Sequence, residues 1–255
     1  MPVLMEDLLS APKRRRGIYL LPNLFTTAAL FAGFYAILAA NQGRFEAAAL
    51  AVFTAMVLDG LDGRIARLTN TQSDFGAEYD SLSDMVAFGV APALVVYQWA
   101  LESSGQLGWL AAFVYTAAAA LRLARFNTQL GVADKRYFQG LPSPAAAAIV
   151  AGGVWVGSVY GLPGDYWLVG LVAMLATSAV GLLMVSNFRF YSFKDLELRG
   201  RVSFILAVAV MLAFAVVSIN PPIVLFFAFS GYAVSGPIGT LLVRRQRRAQ
   251  RRRNR

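Results

Sequence analysis

The chain has 255 residues, of which 58% are hydrophobic and only 15% charged, with a formal net charge of +9 and a mean hydropathy of +0.57. This composition excludes an ordinary soluble domain, in which about a quarter of the residues are charged. The chain contains no cysteine and no histidine, which excludes disulfides, thiolate chemistry, histidine-based triads and imidazole-bound zinc. Any metal ion must therefore have oxygen ligands, which favours Mg²⁺, Mn²⁺ or Ca²⁺.

Residues 1–17 combine a short amphipathic piece with a basic cluster at 13–16. The cluster follows the apolar residues instead of preceding them, and it lacks a small-residue cleavage site, so the pattern differs from that of a secretory signal. We expect an interfacial segment that leads into the first membrane span.

Apolar runs that can cross the roughly 30 Å hydrocarbon layer as helices recur along the rest of the chain. The runs are continuous and do not alternate, which favours helices over a β-barrel. Hydropathy and helix breakers predict eight spans, near residues 18–40, 45–68, 82–101, 108–126, 143–161, 165–186, 202–219 and 221–243. The predicted fold is an all-α, polytopic bundle of transmembrane helices. The predicted organisation is the interfacial segment 1–17, a six-helix core 18–186, a linker with two additional helices 187–243, and a basic tail 244–255.

Every lysine and arginine except Arg44 falls on the same side of these spans. By the positive-inside rule that side is cytoplasmic, so both termini are expected in the cytoplasm. Topology and contact with anionic lipids account for the basic tail, and no nucleic-acid partner is needed to explain it.

The stretch LDGLDGRIARLTNTQSDFGAEYDSLSD, residues 58–84, concentrates acidic side chains at the cytoplasmic ends of the second and third spans. It is interpreted as two helix ends joined by a short connection around TNTQSD. One stripe on each helix is predicted from the spacing, with Asp59, Asp62, Gly63, Ala66 and Arg67 on the first helix and Gly76, Asp80 and Asp84 on the second. Asp74 lies off both stripes and is predicted to cap a helix.

Carboxylates that face one another repel, and an Asp inside the bilayer costs roughly 2.5 to 3.5 kcal/mol. Bound divalent cations offset both penalties, and two ions bridged by shared carboxylates suit phosphate-bearing substrates. The neighbouring Gly and Ala residues allow close approach to the backbone, and Arg67 is suited to an anionic substrate. A solvated acidic loop would explain the excess of acid, but it does not predict one stripe on each helix.

Residues 59–84 resemble the signature of the CDP-alcohol phosphotransferase family, which is DxxDGxxAR followed after eight residues by GxxxDxxxD. The resemblance implies an enzyme that joins an alcohol to the phosphate of a CDP-linked lipid and releases CMP. It also implies a site for two divalent ions, Mg²⁺ or Mn²⁺, held by Asp59, Asp62, Asp80 and Asp84, in which Asp84 is also the general base. Gly63, Ala66, Arg67 and Gly76 would bind the CDP moiety. A homodimer is implied as well.

Five further stretches resemble the bacterial, membrane-embedded phosphatidylserine synthase branch of this family. They are LPNLFT (21–26), FGVAPA (88–93), RLARFN (122–127), FQGLPSPAA (138–146) and SNFRFYS (186–192). Ala87 departs from the serine expected there. This resemblance implies CDP-diacylglycerol and L-serine as substrates, membrane lipid as surroundings, and a bacterial-type inner membrane with the site facing the cytoplasm.

These stretches supply polar side chains on the cytoplasmic side. Arginine forks suit the donor's pyrophosphate and serine's carboxylate, and a carboxylate suits serine's ammonium group. The candidates for phosphate or serine binding are Asn23, Glu78, Arg122, Arg125, Asn127 and Arg189. Positive-inside topology alone would also explain the arginines, and helix capping would explain Asn23. Gly140, Pro142 and Pro144 are expected to shape the start of a helix.

Two alternatives remain open from the sequence. A phosphatidylglycerophosphate synthase, by resemblance, would have proline after the third aspartate and lysine after the fourth, where this chain has Ser81 and Met85; inositol-type acceptors are disfavoured in the same way. A divalent-cation transporter would also place acidic residues inside a bundle. Against it, internal repeats are absent, and the opposite membrane face contributes only Glu46, Glu102 and Asp165.

Overall fold

The computed structural model describes residues 20–128, 137–191 and 204–253, which are almost entirely helical. The predicted interfacial segment 1–17 and part of the predicted linker lie outside the described residues. Within them, the helices are α1 (Leu20–Asn41), α2 (Phe45–Thr69), α3 (Asp74–Asp84), α4 (Ala91–Val96), α5 (Gly105–Thr128), α6 (Ser143–Val159), α7 (Trp167–Val185), α8 (Phe204–Ile219) and α9 (Pro221–Arg253).

Four helical stretches of the described chain are long and apolar enough to cross a membrane: Leu21–Asn41, Asp74–Thr128, Trp167–Val185 and Pro221–Leu241. Ser143–Val159 and Val208–Ile219 are shorter apolar helices. The second of the four contains two predicted spans, because the chain turns through Glu102–Ser104 and Gly105, whose φ is +58°. The all-α polytopic fold is therefore confirmed, and the number of eight spans stays a prediction.

The helices pack through small residues. Ala36 on α1 and Ala48 and Ala55 on α2 are fully buried. Gly33 on α1 lies so close to the segment after α3 that a Cβ added there would be 2.7 Å from the Cα of Ala87. Such interfaces are typical of membrane bundles, where close backbone contact replaces the hydrophobic driving force. The contact at Gly33 holds the continuation of α3 against α1, beside the acidic stripes.

The third predicted span begins earlier than the hydropathy suggests. α3 starts at Asp74 and continues through the π-helical segment Met85–Val90, α4 and a second π-helical segment, Tyr97–Leu101. The helix cap is Ser73, whose hydroxyl accepts a hydrogen bond from the backbone N–H of Gly76 at 3.0 Å. The prediction that Asp74 is a cap is wrong: Asp74 is the first helical residue, where a negative charge is favourable.

A small antiparallel sheet interrupts the helical pattern, and the sequence did not predict it. Strand β1 (Tyr137–Gln139) pairs with β2 (Arg189–Tyr191), and Phe138 lies opposite Phe190. After β1, Gly140 adopts a φ of +80° and its N–H donates to the carbonyl of Phe188 at 2.9 Å. The sheet therefore joins two of the stretches that resemble the family, and α6 follows with Pro142 as its cap residue.

Candidate active site

The ends of α2 and α3 bring acidic side chains together. Carboxylate oxygens of Asp59, Asp62 and Asp80 lie within 4.8 Å of one another. Two of them are one helical turn apart on α2, and the chain reverses at Asn70, whose φ of 51° is left-handed, so that α3 returns beside α2. The side chain of Asp62 is buried, at 5% exposure, and the other two are partly buried. Three carboxylates this close require cations or protons between them.

Asp84 joins this group from the next turn of α3. Its carboxyl group is in hydrogen-bond contact with that of Asp59 and also feels the charge of Asp80. The four aspartates thus lie together where the two helix ends meet, as the two facing stripes predict. We call Asp59, Asp62, Asp80 and Asp84 the acidic cluster.

A hydroxyl on α1 orients one member of the acidic cluster. Thr26 donates to Oδ2 of Asp62 at 2.7 Å, and both residues are buried. The backbone carbonyl of Thr26 in turn accepts from the hydroxyl of Ser83 at 3.1 Å, which connects α1 to α3. Sequence reasoning missed both residues. For Thr26 the available signal was a polar side chain inside an otherwise apolar helix, whereas Ser83 lies among the many polar residues of α3 and gave no such signal.

The predicted CDP-binding residues lie on α2 and α3, the two helices that carry the acidic cluster. A Cβ added to Gly63 would meet only Nη1 of Arg67, at 3.8 Å, so that arginine reaches back over the glycine. Ala66 is partly buried on the same stripe. Gly76 lies near Asn23 of α1, whose Oδ1 would be 3.5 Å from an added Cβ. The structure thus brings Asn23 to the start of α3.

Arg122, near the end of α5, faces the acidic cluster from the other side. Its Nη1 donates to the hydroxyl of Ser143, the fully buried first residue of α6, and its charge interacts with Asp84 and Asp59. Tyr232 of α9 also lies within its electrostatic reach. The hydrogen bond to Ser143 and the electrostatic interaction with Tyr232 join different segments of the chain, and sequence reasoning did not find them.

Two further residues of α5, Arg125 and Asn127, form hydrogen bonds to other segments near the acidic cluster. Nη1 of Arg125 donates to the carbonyl of Ser186 at 3.4 Å. The amide of Asn127 donates to the hydroxyl of Ser81 on α3 at 3.0 Å, directly after Asp80. Asn127 therefore ties the end of α5 to the helix that carries half of the acidic cluster.

The structure places two predicted contacts differently. Glu78 is exposed, and two positions along α3 correspond to about 200° around the helix axis, so it faces away from Asp80. Arg189 lies on β2 with an exposed side chain, and its backbone N–H donates to Oγ1 of Thr240 at 3.2 Å. The acidic cluster and Glu78 therefore lie on different faces of α3.

The acidic cluster fits divalent cations with a preference for oxygen. Its donors are carboxylates alone, in a chain without histidine or cysteine, and their spacing allows shared coordination. The hydrogen bond from Thr26 orients Asp62 in the way that neighbouring hydroxyls orient metal ligands. The residues present therefore suit Mg²⁺ or Mn²⁺.

Comparisons with known proteins agree with this site. The family model described as CDP-alcohol phosphatidyltransferase matches residues 19–183, which include the whole acidic cluster. A Helicobacter pylori protein named CDP-diacylglycerol--serine O-phosphatidyltransferase is 42% identical over 183 residues, 71% of this chain and 75% of the relative. A Mycobacterium tuberculosis protein of the same name is 37% identical, over 71% of this chain and 64% of the relative. A Bacillus subtilis protein of the same name is 33% identical, over 68% of this chain and 91% of the relative. The chain belongs to the CDP-alcohol phosphatidyltransferase family.

Proposed function

We propose that the protein is a phosphatidylserine synthase, which transfers the phosphatidyl group of CDP-diacylglycerol to the hydroxyl of L-serine and releases CMP. The observation that carries this proposal is the acidic cluster with Arg122 beside Asp84. The cluster suits a phosphate donor with bound metal ions, and the arginine suits an acceptor that bears a carboxylate. The names of the relatives support serine as that acceptor.

In the proposed reaction the acidic cluster would hold two divalent ions, which when bound would neutralise charge on the pyrophosphate and stabilise the departing CMP. Asp84 accepts the proton of the serine hydroxyl, whose oxygen forms a bond to the phosphatidyl phosphorus while the bond from that phosphorus to the CMP oxygen breaks. Serine is a weak nucleophile until a positioned base takes this proton, which is the contribution assigned to Asp84.

Other side chains are proposed to bind and orient the substrates. Gly63, Ala66, Arg67 and Gly76 are assigned to the CDP moiety. Gly63 leaves room for the nucleotide, since a Cβ there would meet only Nη1 of Arg67, at 3.8 Å. The proposed contacts to phosphate or serine are Asn23, Glu78, Arg122, Arg125, Asn127 and Arg189. The hydrogen bond of the partly buried Arg122 to Ser143 supports its assignment best, and the exposed position of Glu78 supports its assignment least.

The discriminating experiment measures CMP release by the purified protein. With CDP-diacylglycerol and Mn²⁺ or Mg²⁺, L-serine should support release and glycerol 3-phosphate and inositol should not, and EDTA should abolish it. Release with glycerol 3-phosphate alone would reject serine as the acceptor and keep the family chemistry. If no alcohol releases CMP while liposomes containing the protein take up Mn²⁺, the activity is transport.

We also propose eight spans with both termini and the active site on the cytoplasmic side of the inner membrane. The distribution of lysine and arginine supports this orientation. Because the chain has no cysteine, single-cysteine variants can be labelled cleanly with a membrane-impermeant maleimide. Gln106→Cys should be labelled in intact cells, and Gln72→Cys, beside the acidic cluster, only in inverted vesicles. The reverse result would invert the topology.

A homodimer is the proposed assembly, on the basis of the family resemblance. Single-molecule photobleaching of a fluorescent fusion in native membrane discs should show two steps. Single-step bleaching at full labelling would show a monomer.

A further inference from the structure

Helix α9 lies outside residues 19–183, which match the family model, and yet it contacts the candidate site through β2. Three residues of α9 that step by four form one stripe along the helix. On β2, Tyr191 contacts Tyr232, Phe190 contacts Gly236, and Arg189 contacts Thr240. We call the three α9 residues the α9 stripe. One face of a helix thus follows the strand residue by residue.

Two hydrogen bonds fix the ends of this contact. The hydroxyl of Tyr232 donates to the backbone carbonyl of Tyr191 at 3.0 Å. The backbone N–H of Arg189 donates to Oγ1 of Thr240 at 3.2 Å. Both bonds use backbone groups of β2 that its pairing with β1 leaves available, so the α9 stripe acts as a partner on the strand's other side.

The centre of the contact admits only glycine on the helix. The ring of Phe190 is fully buried, and a Cβ added to Gly236 would collide with it. The same ring packs against Tyr232, with ring centroids 5.6 Å apart at an angle of 52°. The distance between β2 and α9 is therefore set by a close contact that cannot shrink.

β2 is connected to both arginines of α5. The residues just before β2 supply the carbonyl of Ser186, which accepts from Arg125. The partner strand β1 leads to Ser143, which accepts from Arg122. A displacement of β2 would therefore move the hydrogen-bond acceptors of both guanidinium groups.

Tyr232 is also coupled to Arg122 through its charge distribution. The phenol of Tyr232 and the guanidinium of Arg122 interact electrostatically. Because the Tyr232 hydroxyl donates its proton to the carbonyl of Tyr191, the phenol oxygen presents only lone pairs to its other neighbours, which favours a cation such as Arg122. The orientation of this one hydroxyl links β2, α9 and the arginine.

We propose that the α9 stripe positions the acceptor-binding arginines, with Tyr232 as the positioning residue for Arg122. This inference rests on the proposed function. Arg122 lies beside Asp84, where the acceptor hydroxyl loses its proton, and only two carbon atoms separate the hydroxyl of serine from its carboxylate. A disturbed stripe should therefore weaken capture of the acceptor more than it slows the chemical step.

The first test is a pair of matched substitutions on α9. Gly236→Ala places a methyl group against Phe190, whereas Gly239→Ala places the same group in open space on the same helix. We expect Gly236→Ala to raise the KM for serine about tenfold, the scale of one weakened charge-assisted hydrogen bond. The KM for CDP-diacylglycerol and kcat should change by less than about threefold, and Gly239→Ala should behave as wild type. Adding Phe190→Leu to Gly236→Ala makes space for the methyl group and should restore part of the serine KM.

Tyr232→Phe provides a milder test should Gly236→Ala fail to fold. It keeps the ring and removes only the hydroxyl, and the serine KM should rise about threefold to tenfold, with elution on size exclusion unchanged. The proposal is overturned if Tyr232→Phe leaves the serine KM unchanged, if Gly236→Ala matches Gly239→Ala, or if kcat and both KM values change together. If wild-type protein releases CMP with a different alcohol, the proposed function fails, and the same comparison with that alcohol decides the role of the stripe separately.

Discussion

The two sides of the candidate site are built differently. The acidic cluster comes from one short part of the chain, in which helical spacing on α2 and α3 sets the distances between carboxylates. The arginine side is assembled from the ends of α5 and α6, from β2 and from α9, through single hydrogen bonds between distant segments. Metal ligands need a fixed geometry, which rigid helices supply. Under the proposed function, a change on the arginine side would adjust substrate recognition without moving the proposed metal ligands.

The largest effect is expected from Asp84, where the acidic cluster is proposed to take the proton. Asp84→Asn keeps size and polarity and removes the base, so CMP release should fall by about 10³-fold. Asp74→Asn is the matched control, since Asp74 is exposed in the first turn of the same helix. The measurement is single-turnover CMP release at saturating serine. Activity of Asp84→Asn above about a tenth of wild type would reject the assignment.

The next largest effect tests the arginine side. Arg122→Lys keeps the charge and loses the planar fork that reaches Ser143 and is proposed to bind the acceptor, so kcat/KM for serine should fall about 30- to 100-fold. Arg64→Lys is the control, because Arg64 is exposed on α2 and lies off the stripe. Equal activity of the two variants would show that position 122 needs only a positive charge. The hydrogen bond to Ser143 would then contribute nothing to acceptor binding.

The difference between the local acidic cluster and the arginine side, which is assembled from distant segments, explains what the sequence could predict. The spacing at residues 59–84 was enough to bring four aspartates together, because a helix repeats every 3.6 residues and the connection of α2 to α3 is short. No local pattern relates Arg122 to Tyr232, which lie more than a hundred positions apart, or pairs β1 with β2. Asp74 was mistaken for a cap because Ser73 beside it is an equally good capping residue. The connection TNTQSD was enough to place the start of α3, whereas hydropathy began the third span only near residue 82, because the first turns of the helix are polar.

A smaller effect is expected where α1 supports the acidic cluster. Thr26→Val preserves shape and removes the hydroxyl that donates to Asp62, so the Mn²⁺ concentration for half-maximal activity should rise about tenfold. Thr54→Val is the control, since the Thr54 hydroxyl only donates to the carbonyl of Leu50 on its own helix. Mn²⁺ binding followed by electron paramagnetic resonance should give the same ratio. A change in kcat without a change in Mn²⁺ affinity would assign Thr26 a different role.

The smallest effect is expected from Gly63→Ala, which tests whether the nucleotide lies against this glycine. A Cβ on Gly63 would meet only the end of Arg67 at 3.8 Å, an ordinary contact, and Gly60 on the same helix has no neighbour within 4 Å. Both alanine variants should therefore fold, with a gain in helix stability of up to about 1 kcal/mol. If CDP lies against Gly63, only Gly63→Ala should raise the KM for CDP-diacylglycerol, by about threefold to tenfold, and leave the KM for serine unchanged. Equal KM values for CDP-diacylglycerol in the two variants would show that the nucleotide does not lie against Gly63. The phosphates of the donor would then approach the acidic cluster from another direction.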